Sequence, residues 1–342
     1  MEKVADRKED RSHIGARAQR KGGFRPPVAV YRQAVGLLAI TAVFQACGNH
    51  PRAIAQEPAE KPVPTISIKS NGQKAFALLK TQTDMGPRYP GSAGHKKCLD
   101  WIHEQAKKYT DKVAKQEFSH KWSVIGWDVK MTNVVATIDV GSPKTALLLA
   151  HWDTRPTADQ EFDSADRKKP ILGANDGASG VAVLLDLMRA FKEEAPPINV
   201  VFLFVDGEDL GPGTDEMFLG ATHYAKTVAK PKPDFGILLD MIGDKDLEIP
   251  KEQISAESAG SLQKRFYKNA QLRGYGKVFT DRSGGSILDD HLAINAAGIP
   301  TIDLIDFDYP YWHTLEDTAD KCSAQSLGVV GAAVESFVRS EK

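Results

Sequence analysis

The stretch Val200-Val-Phe-Leu-Phe-Val-Asp-Gly-Glu-Asp-Leu-Gly211 joins an unbroken apolar run to a cluster of acid. The run from Val200 to Val205 reads as a strand buried on both faces, as strands of a parallel sheet are. Directly after it, Asp206, Glu208 and Asp209 place three carboxylates within four residues. Like charges this close at the end of a buried strand are costly unless something neutralises them. A metal cation is the simplest neutraliser, and its other ligands must come from elsewhere in the chain.

Working outward, residues 145–150 form another apolar strand, ending at His151-Trp152-Asp153. The turn Gly173-Ala-Asn-Asp-Gly-Ala-Ser-Gly180 leads into an apolar helix over 181–191. Beyond the opening stretch come a helix around 220–228, a strand over 234–240 ending in Asp240, a helix over 258–272, a late strand over 299–305 and a closing helix over 324–338. Upstream, the pattern predicts helices over 70–83 and 95–109 and strands over 115–120 and 127–140. Strands alternating with helices imply one α/β domain on a central mixed, largely parallel sheet flanked by helices. Neither repeats nor a second composition regime interrupt residues 66–342, which are read as a single catalytic domain.

Residues 48–65 are rich in proline and charge and read as a linker. Residues 1–47 look like an export segment. Arg17, Arg20, Lys21, Arg25 and Arg32 precede an apolar run over 34–44 that is too short for a membrane anchor but suits a signal peptide. Ala46-Cys47-Gly48 resembles a bacterial lipoprotein processing site, which implies a lipid tether through Cys47 and a periplasmic or envelope-anchored protein. In such an oxidising compartment Cys98 and Cys322 have the opportunity to pair. A net charge of −1 over 342 residues gives no electrostatic case for a nucleic-acid partner. With three cysteines and no Cys-x-x-Cys spacing, a thiolate zinc site is disfavoured.

The chemistry-bearing residues share one location. His151 and Asp153 follow one strand, Glu208 and Asp209 a second, and Asp240 ends a third. Asp176 sits in a glycine-rich turn before a helix, and His313 lies in the loop after the last strand. In open α/β sheets ligands bind outside the carboxyl ends of the strands, so these residues converge on one crevice. Carboxylate and imidazole ligands without thiolates suit zinc, with one position kept open for water or substrate.

Six segments carry a family resemblance: 150–156, 173–180, 206–209, 239–243, Asp289-Asp-His291 and Trp312-His-Thr314. Together they resemble the zinc aminopeptidase superfamily and, within it, the glutaminyl-peptide cyclotransferases. The resemblance implies one zinc per chain held by Asp176, Asp209 and His313, with Glu208 as general acid and base. It implies that Asp240 and Asp289 are acidic partners around Glu208 and the substrate amine, and that Trp312 is a pocket wall. The implied reaction converts an N-terminal glutamine of a peptide or protein to pyroglutamate with release of ammonia. Asp209 departs from animal cyclases, which resemble this pattern with glutamate there; the shorter side chain asks the backbone to approach the metal more closely.

The same residues also resemble a two-zinc aminopeptidase, with His151 completing a second site beside a bridging Asp176 and Asp240. Two features favour the cyclase. Asp289 stands where the peptidases more often carry serine, and a proton shared with Asp240 would leave that residue less free for a second cation. Trp312 offers a broad apolar wall for a glutamine side chain folding back on its own amine. A third reading is a non-catalytic exported binding protein, against which the intact Glu208 argues. The sequence does not decide whether Asp153 orients His151, and Asp206 has no assigned role.

Overall fold

The computed structural model describes residues 66–341; the expected export segment 1–47 and linker 48–65 lie outside them. Eight strands and seven α-helices alternate through the chain. The strands are β1 (Val113–Lys121), β2 (Asp128–Ile138), β3 (Thr145–His151), β4 (Asn199–Val205), β5 (Phe235–Asp240), β6 (Ile249–Lys251), β7 (Phe279–Ser283) and β8 (Thr301–Ile305). The helices are α1 (Gly72–Thr83), α2 (Ala93–Lys107), α3 (Ala178–Glu193), α4 (Leu219–Thr227), α5 (Gln253–Leu272), α6 (His291–Ala296) and α7 (Ala324–Ser340).

Six strands form the main sheet in the order β1-β2-β4-β3-β5-β8. The β1–β2 and β2–β4 pairs are antiparallel, and β4–β3, β3–β5 and β5–β8 are parallel. The central strands are apolar on both faces because both faces are covered, and the two-residue period of the strand divides them. Ala146, Leu148 and Ala150 of β3 join the larger core with α1, α2, α3, α5 and α7, whereas Leu147 and Leu149 join a second core with α4 and α6. This gives three layers.

Helix starts follow local capping chemistry. Asn71, Ser92, Glu252 and Ser323 each accept a backbone N–H of the helix they precede, satisfying donors that the first turn leaves free. Glu252 explains why α5 begins five residues before the expected 258. Its carboxylate caps the earlier turn, and the helix bends at Ala259, where φ is −138°. The short elements β6, β7 and α6 lack enough length for a periodic signal and were not legible in the sequence pattern. Cys98 and Cys322 are both buried and free, so the pairing open to them does not form.

Candidate active site

Because β3, β4, β5 and β8 run parallel, their carboxyl ends share one edge of the sheet, and the predicted residues gather there. The clustered acid after β4 divides. Asp206 turns away from the others: both its carboxylate oxygens lie 3.0 Å from His95 Nε2, and one accepts the Thr132 N–H at 2.6 Å. His95 also stacks on Trp152 with ring centroids 4.4 Å apart. Asp206 therefore pins α2 to the sheet. Glu208 and Asp209 face the crevice, and Gly207 between them adopts a φ of +70°, where a Cβ would meet Met131 Sδ at 2.3 Å.

Asp176, Asp209 and His313 are brought together, one ligand atom from each lying within 4.8 Å of the others. His313 Nε2 is 3.5 Å from Asp176 Oδ2 and 3.4 Å from Asp209 Oδ2. A tetrahedral zinc with bonds of about 2.0–2.1 Å has ligand–ligand edges of about 3.3–3.4 Å, so the separations fit. Asp209 Oδ2 is buried and has no hydrogen-bond partner among the described residues, as expected of a lone pair reserved for a cation. Burial pushes the His313 imidazole down, but Asp209 and Asp159 outweigh it and lift it to about 10. Two buried carboxylates thus demand positive charge at this point, which a divalent ion supplies.

The second imidazole is bonded differently. His151 Nε2 lies 3.2 Å from Asp176 Oδ1 and makes a 3.0 Å hydrogen bond with Asp240 Oδ1. His151 Nδ1 is buried without a hydrogen-bond partner, 3.7 Å from Asp153 Oδ1 and 3.8 Å from Glu208 Oε2. One expectation is corrected here, the proton shared between Asp289 and Asp240. Asp153, 3.7 Å from His151 Nδ1, uses its two oxygens to accept the N–H groups of Glu208 at 3.1 Å and Asp209 at 3.2 Å, holding the backbone of that loop. The partner that occupies Asp240 is His151 rather than Asp289, whose Oδ1 accepts the Asp290 N–H at 2.5 Å and whose Oδ2 stays unpartnered. Asp289 nevertheless sits in the same cavity wall as Asp240 and Glu208. Burial, then the charges of Asp303, Asp240 and Glu208, raise its carboxyl well above the usual range.

Glu208 lines this cavity with Asp240, Asp289, Trp312 and His313. Burial, and then the neighbouring carboxylates against the opposing pull of His151, raise its carboxyl well above the ordinary value. A carboxyl so placed exchanges a proton near neutrality more readily than a solvated one. Trp312 stacks on His313 with centroids 4.0 Å apart and planes at 26°, forming one wall. Two lining residues, Met241 (φ 46°) and His313 (φ 54°), adopt left-handed backbone, as does Phe218 (φ 56°), whose N–H donates to the Glu208 carbonyl at 3.0 Å. Each such residue costs about 1–2 kcal/mol, and their grouping beside Glu208, Asp240 and Asp209 marks a backbone shaped by the site.

Several residues were not anticipated from sequence. Arg155 donates from Nη1 to Asp209 Oδ1 at 2.9 Å, the oxygen facing away from His313, and from Nε to Asp159 Oδ2 at 3.0 Å. Asp159 Oδ1 in turn lies 3.0 Å from His313 Nδ1. Asp209, Arg155, Asp159 and His313 thus close a loop behind the metal position. Asp317, fully buried, accepts the N–H groups of Asn175 at 2.8 Å and Asp176 at 3.1 Å and the Tyr309 hydroxyl at 2.8 Å. Arg155 and Asp159 carry opposite charge four residues apart, a spacing that reads as a solvated pair. No local pattern marks Asp317.

The fold and site define a zinc-dependent enzyme on the exopeptidase scaffold. The chain belongs to peptidase family M28, whose model matches residues 133–338. Among solved structures it is similar to a glutaminyl cyclase from Bacteroides thetaiotaomicron, 35% identical with a TM-score of 0.78, over 81% of this chain and 100% of that one. It is likewise similar to a Zn-dependent exopeptidase from Parabacteroides distasonis, 33% identical with a TM-score of 0.78, over 81% and 100% of the two chains. A curated relative, the glutaminyl-peptide cyclotransferase-like protein of Bos taurus, is 28% identical over 215 residues, which is 55% of this chain and 54% of the relative. The chain thus spans about half the length of that relative.

Proposed function

We propose that this protein is a glutaminyl cyclase that binds one zinc per chain and converts the N-terminal glutamine of peptides to pyroglutamate with release of ammonia. The observation that carries the reading is the 3.0 Å hydrogen bond between His151 and Asp240. It engages the two atoms that a second metal would need, while the facing atoms of Asp176, Asp209 and His313 stay free of hydrogen bonds to one another. The bacterial glutaminyl cyclase among the similar structures supports the same conclusion.

In this mechanism Asp176, Asp209 and His313 would hold the zinc, which would supply Lewis acidity toward the side-chain amide carbonyl. Glu208 takes a proton from the substrate's α-amine. The amine nitrogen bonds to the amide carbon, the carbon–nitrogen bond to the leaving group breaks, and Glu208 returns the proton so that ammonia departs. Attack is intramolecular, so positioning accounts for much of the rate and no enzyme nucleophile is required. Asp240 and Asp289 hold the amine end, and Trp312 limits water at the carbonyl.

Hydrolysis by a two-metal aminopeptidase is the second reading, favoured by the group His151, Asp176 and Asp240, whose ligand atoms also lie within 4.8 Å of one another. One assay separates the two. Purified protein is given peptides that begin with glutamine and aminoacyl reporter substrates, and zinc is counted. Ammonia release with loss of the primary amine and about one zinc per chain is expected; free amino acids with two metals would overturn the cyclase. The proposal extends to location, with residues 1–47 directing export and Cys47 carrying lipid. Radiolabelled fatty acid entering the protein, and failing to enter Cys47→Ala, is the expected result; an unlabelled parent protein removes the tether.

A further inference from the structure

β2 pairs with β4 only from Val134 onward. Residues 128–133 and their β1 partners 116–121 therefore run on beyond β4 as a two-stranded extension at the carboxyl edge of the sheet. The tip of this hairpin is apolar and faces water: Val124 is 61% and Trp127 66% exposed, and Ile125 is half-buried. The exposure is fixed by the fold. The Gly126 N–H donates to the Trp122 carbonyl at 2.8 Å and the Trp122 N–H to the Trp127 carbonyl at 3.1 Å, closing the turn. Trp122 itself is buried, with its indole N–H donating to the Gly211 carbonyl at 2.8 Å, and the Ser123 N–H donates to Glu216 Oε1 at 2.7 Å. Turning Val124 and Trp127 inward would break these bonds. A rigid apolar tip held in water marks an interaction site.

Behind the tip, an open cavity of about 950 Å³ separates the hairpin from the start of α2, and it shares no lining residue with the crevice that holds Glu208. Its rim is basic. Lys97 of α2 and Lys130 of β2 line it, are exposed, and form no ion pair among the described residues. Lys96, also in the lining, shares the carboxylate of Asp100 with Lys115, at 3.2 and 3.3 Å. Asp128 is the acid of the lining and stands across the hairpin from Lys121, while Glu117 lies farther back along β1. Five lysines thus meet three carboxylates around this hairpin, a local excess of positive charge on a chain whose net charge is −1.

We propose that the β1–β2 hairpin docks on an anionic lipid surface, with Val124, Ile125 and Trp127 entering the headgroup boundary and Lys97, Lys121 and Lys130 meeting lipid phosphates. Tryptophan favours that boundary because its ring is apolar and its indole N–H can still reach a polar partner. Lysine stems lie along apolar surface and carry their charge outward to the headgroups. The apolar side chains stand on a convex tip with the basic residues behind them, an order that matches the depth profile of a bilayer, with hydrocarbon beneath anionic headgroups. The inference does not depend on the reaction proposed above. It also stands without lipid on Cys47, which would only raise the hairpin's effective concentration at a membrane. The hairpin shares its edge of the sheet with the crevice, so docking holds the crevice near the lipid.

The test is cosedimentation of the full chain, carrying Cys47→Ala so that no acyl group contributes, with vesicles of phosphatidylcholine alone or mixed with phosphatidylglycerol. Trp127→Ser and a triple variant, Lys97→Gln with Lys121→Gln and Lys130→Gln, are compared with this parent. Residues 34–44 are common to all three proteins, so the ratios between them read the hairpin alone. On the mixed vesicles Trp127→Ser is expected to weaken binding by about tenfold or more. The triple variant is expected to weaken it by about fivefold for each lysine replaced, an effect absent on phosphatidylcholine alone and abolished by salt. All four side chains are exposed, so both variants should keep the parent's unfolding temperature. Lipids brominated on the acyl chain should quench the tryptophan fluorescence of the parent and lose that effect in Trp127→Phe. Equal binding by the three proteins, or quenching that survives Trp127→Phe, would overturn the proposal. Self-association without vesicles that is lost in Trp127→Ser would assign the tip to a second copy of the chain and overturn it as well.

Discussion

Asp176 belongs to two triads of the same composition, one imidazole and two carboxylates, and the two differ in which imidazole nitrogen is hydrogen-bonded. His313 has its Nδ1 engaged by Asp159 at 3.0 Å, while its Nε2 faces Asp176 and Asp209 at 3.5 and 3.4 Å without a hydrogen bond. His151 has its Nε2, the nitrogen a metal would need, engaged by a hydrogen bond with Asp240, while Nδ1 has no hydrogen-bond partner among the described residues. Residue identity cannot separate the triads; hydrogen bonding does. The number of metals a carboxylate–histidine cluster holds depends on which of its facing atoms are already occupied.

The largest expected effect separates the triads directly. Asp209→Ala should lose zinc on gel filtration, whereas His151→Ala should keep it, as measured by metal analysis; equal loss from both would erase the distinction. Next, Glu208→Gln should lower kcat by about 10²–10⁴ with zinc content unchanged, since Glu208 lies outside the ligand triad. Third, Arg155→Ala should weaken zinc affinity by about 10–100-fold in a chelator competition. It frees Asp209 and leaves Asp159 without its cation, with no counterpart in the His151 triad.

A smaller effect concerns the residue between the triads' shared ligand and α3. Gly177 adopts a φ of +102°, and a Cβ would meet the Asp153 carbonyl at 2.4 Å. Gly177→Ala should cost about 2 kcal/mol or more in a denaturant titration and loosen zinc through the displaced Asp176. The smallest lies outside both clusters. Burial alone would raise the Glu252 carboxyl, but His291 and the N–H groups of Ser255 and Ile287 outweigh it and bring it from 4.5 down to about 2. Its contribution to stability is complete above about 4.5 and is lost as pH falls through about 2. Glu252→Gln should therefore flatten the acid limb by lowering stability at neutral pH and leaving it nearly unchanged below about pH 2.

The sheet was legible because its central strands are buried on both faces. The unbroken apolar runs at 145–150, 200–205 and 234–240 each stop at a polar residue, so the strand ends were visible as well as the strands. The convergence of Asp176, Asp209 and His313 was legible through the same edge and through the family resemblance. Arg155, Asp159 and Asp317 were not. Each acts through a partner 54 to 154 residues away in sequence, and nothing in a charge four residues from another declares such a partner. Asp206 misled because crowding of carboxylates in sequence says nothing of their direction; the left-handed glycine after it sends Glu208 the other way.

Asp153 and Asp317 each clasp two consecutive backbone N–H groups of a metal-binding loop. The loops are thereby set by protein hydrogen bonds rather than by the ion. In a zinc finger the metal's binding energy is the folding energy; here the loops are held by protein alone, so a zinc bound as proposed would enter a finished socket. Chelation should then empty the site without melting the domain, and the ion's effect on thermal stability should follow its free concentration by simple mass action. A site of this kind can be refilled, and with a different divalent ion, by a protein that never has to refold.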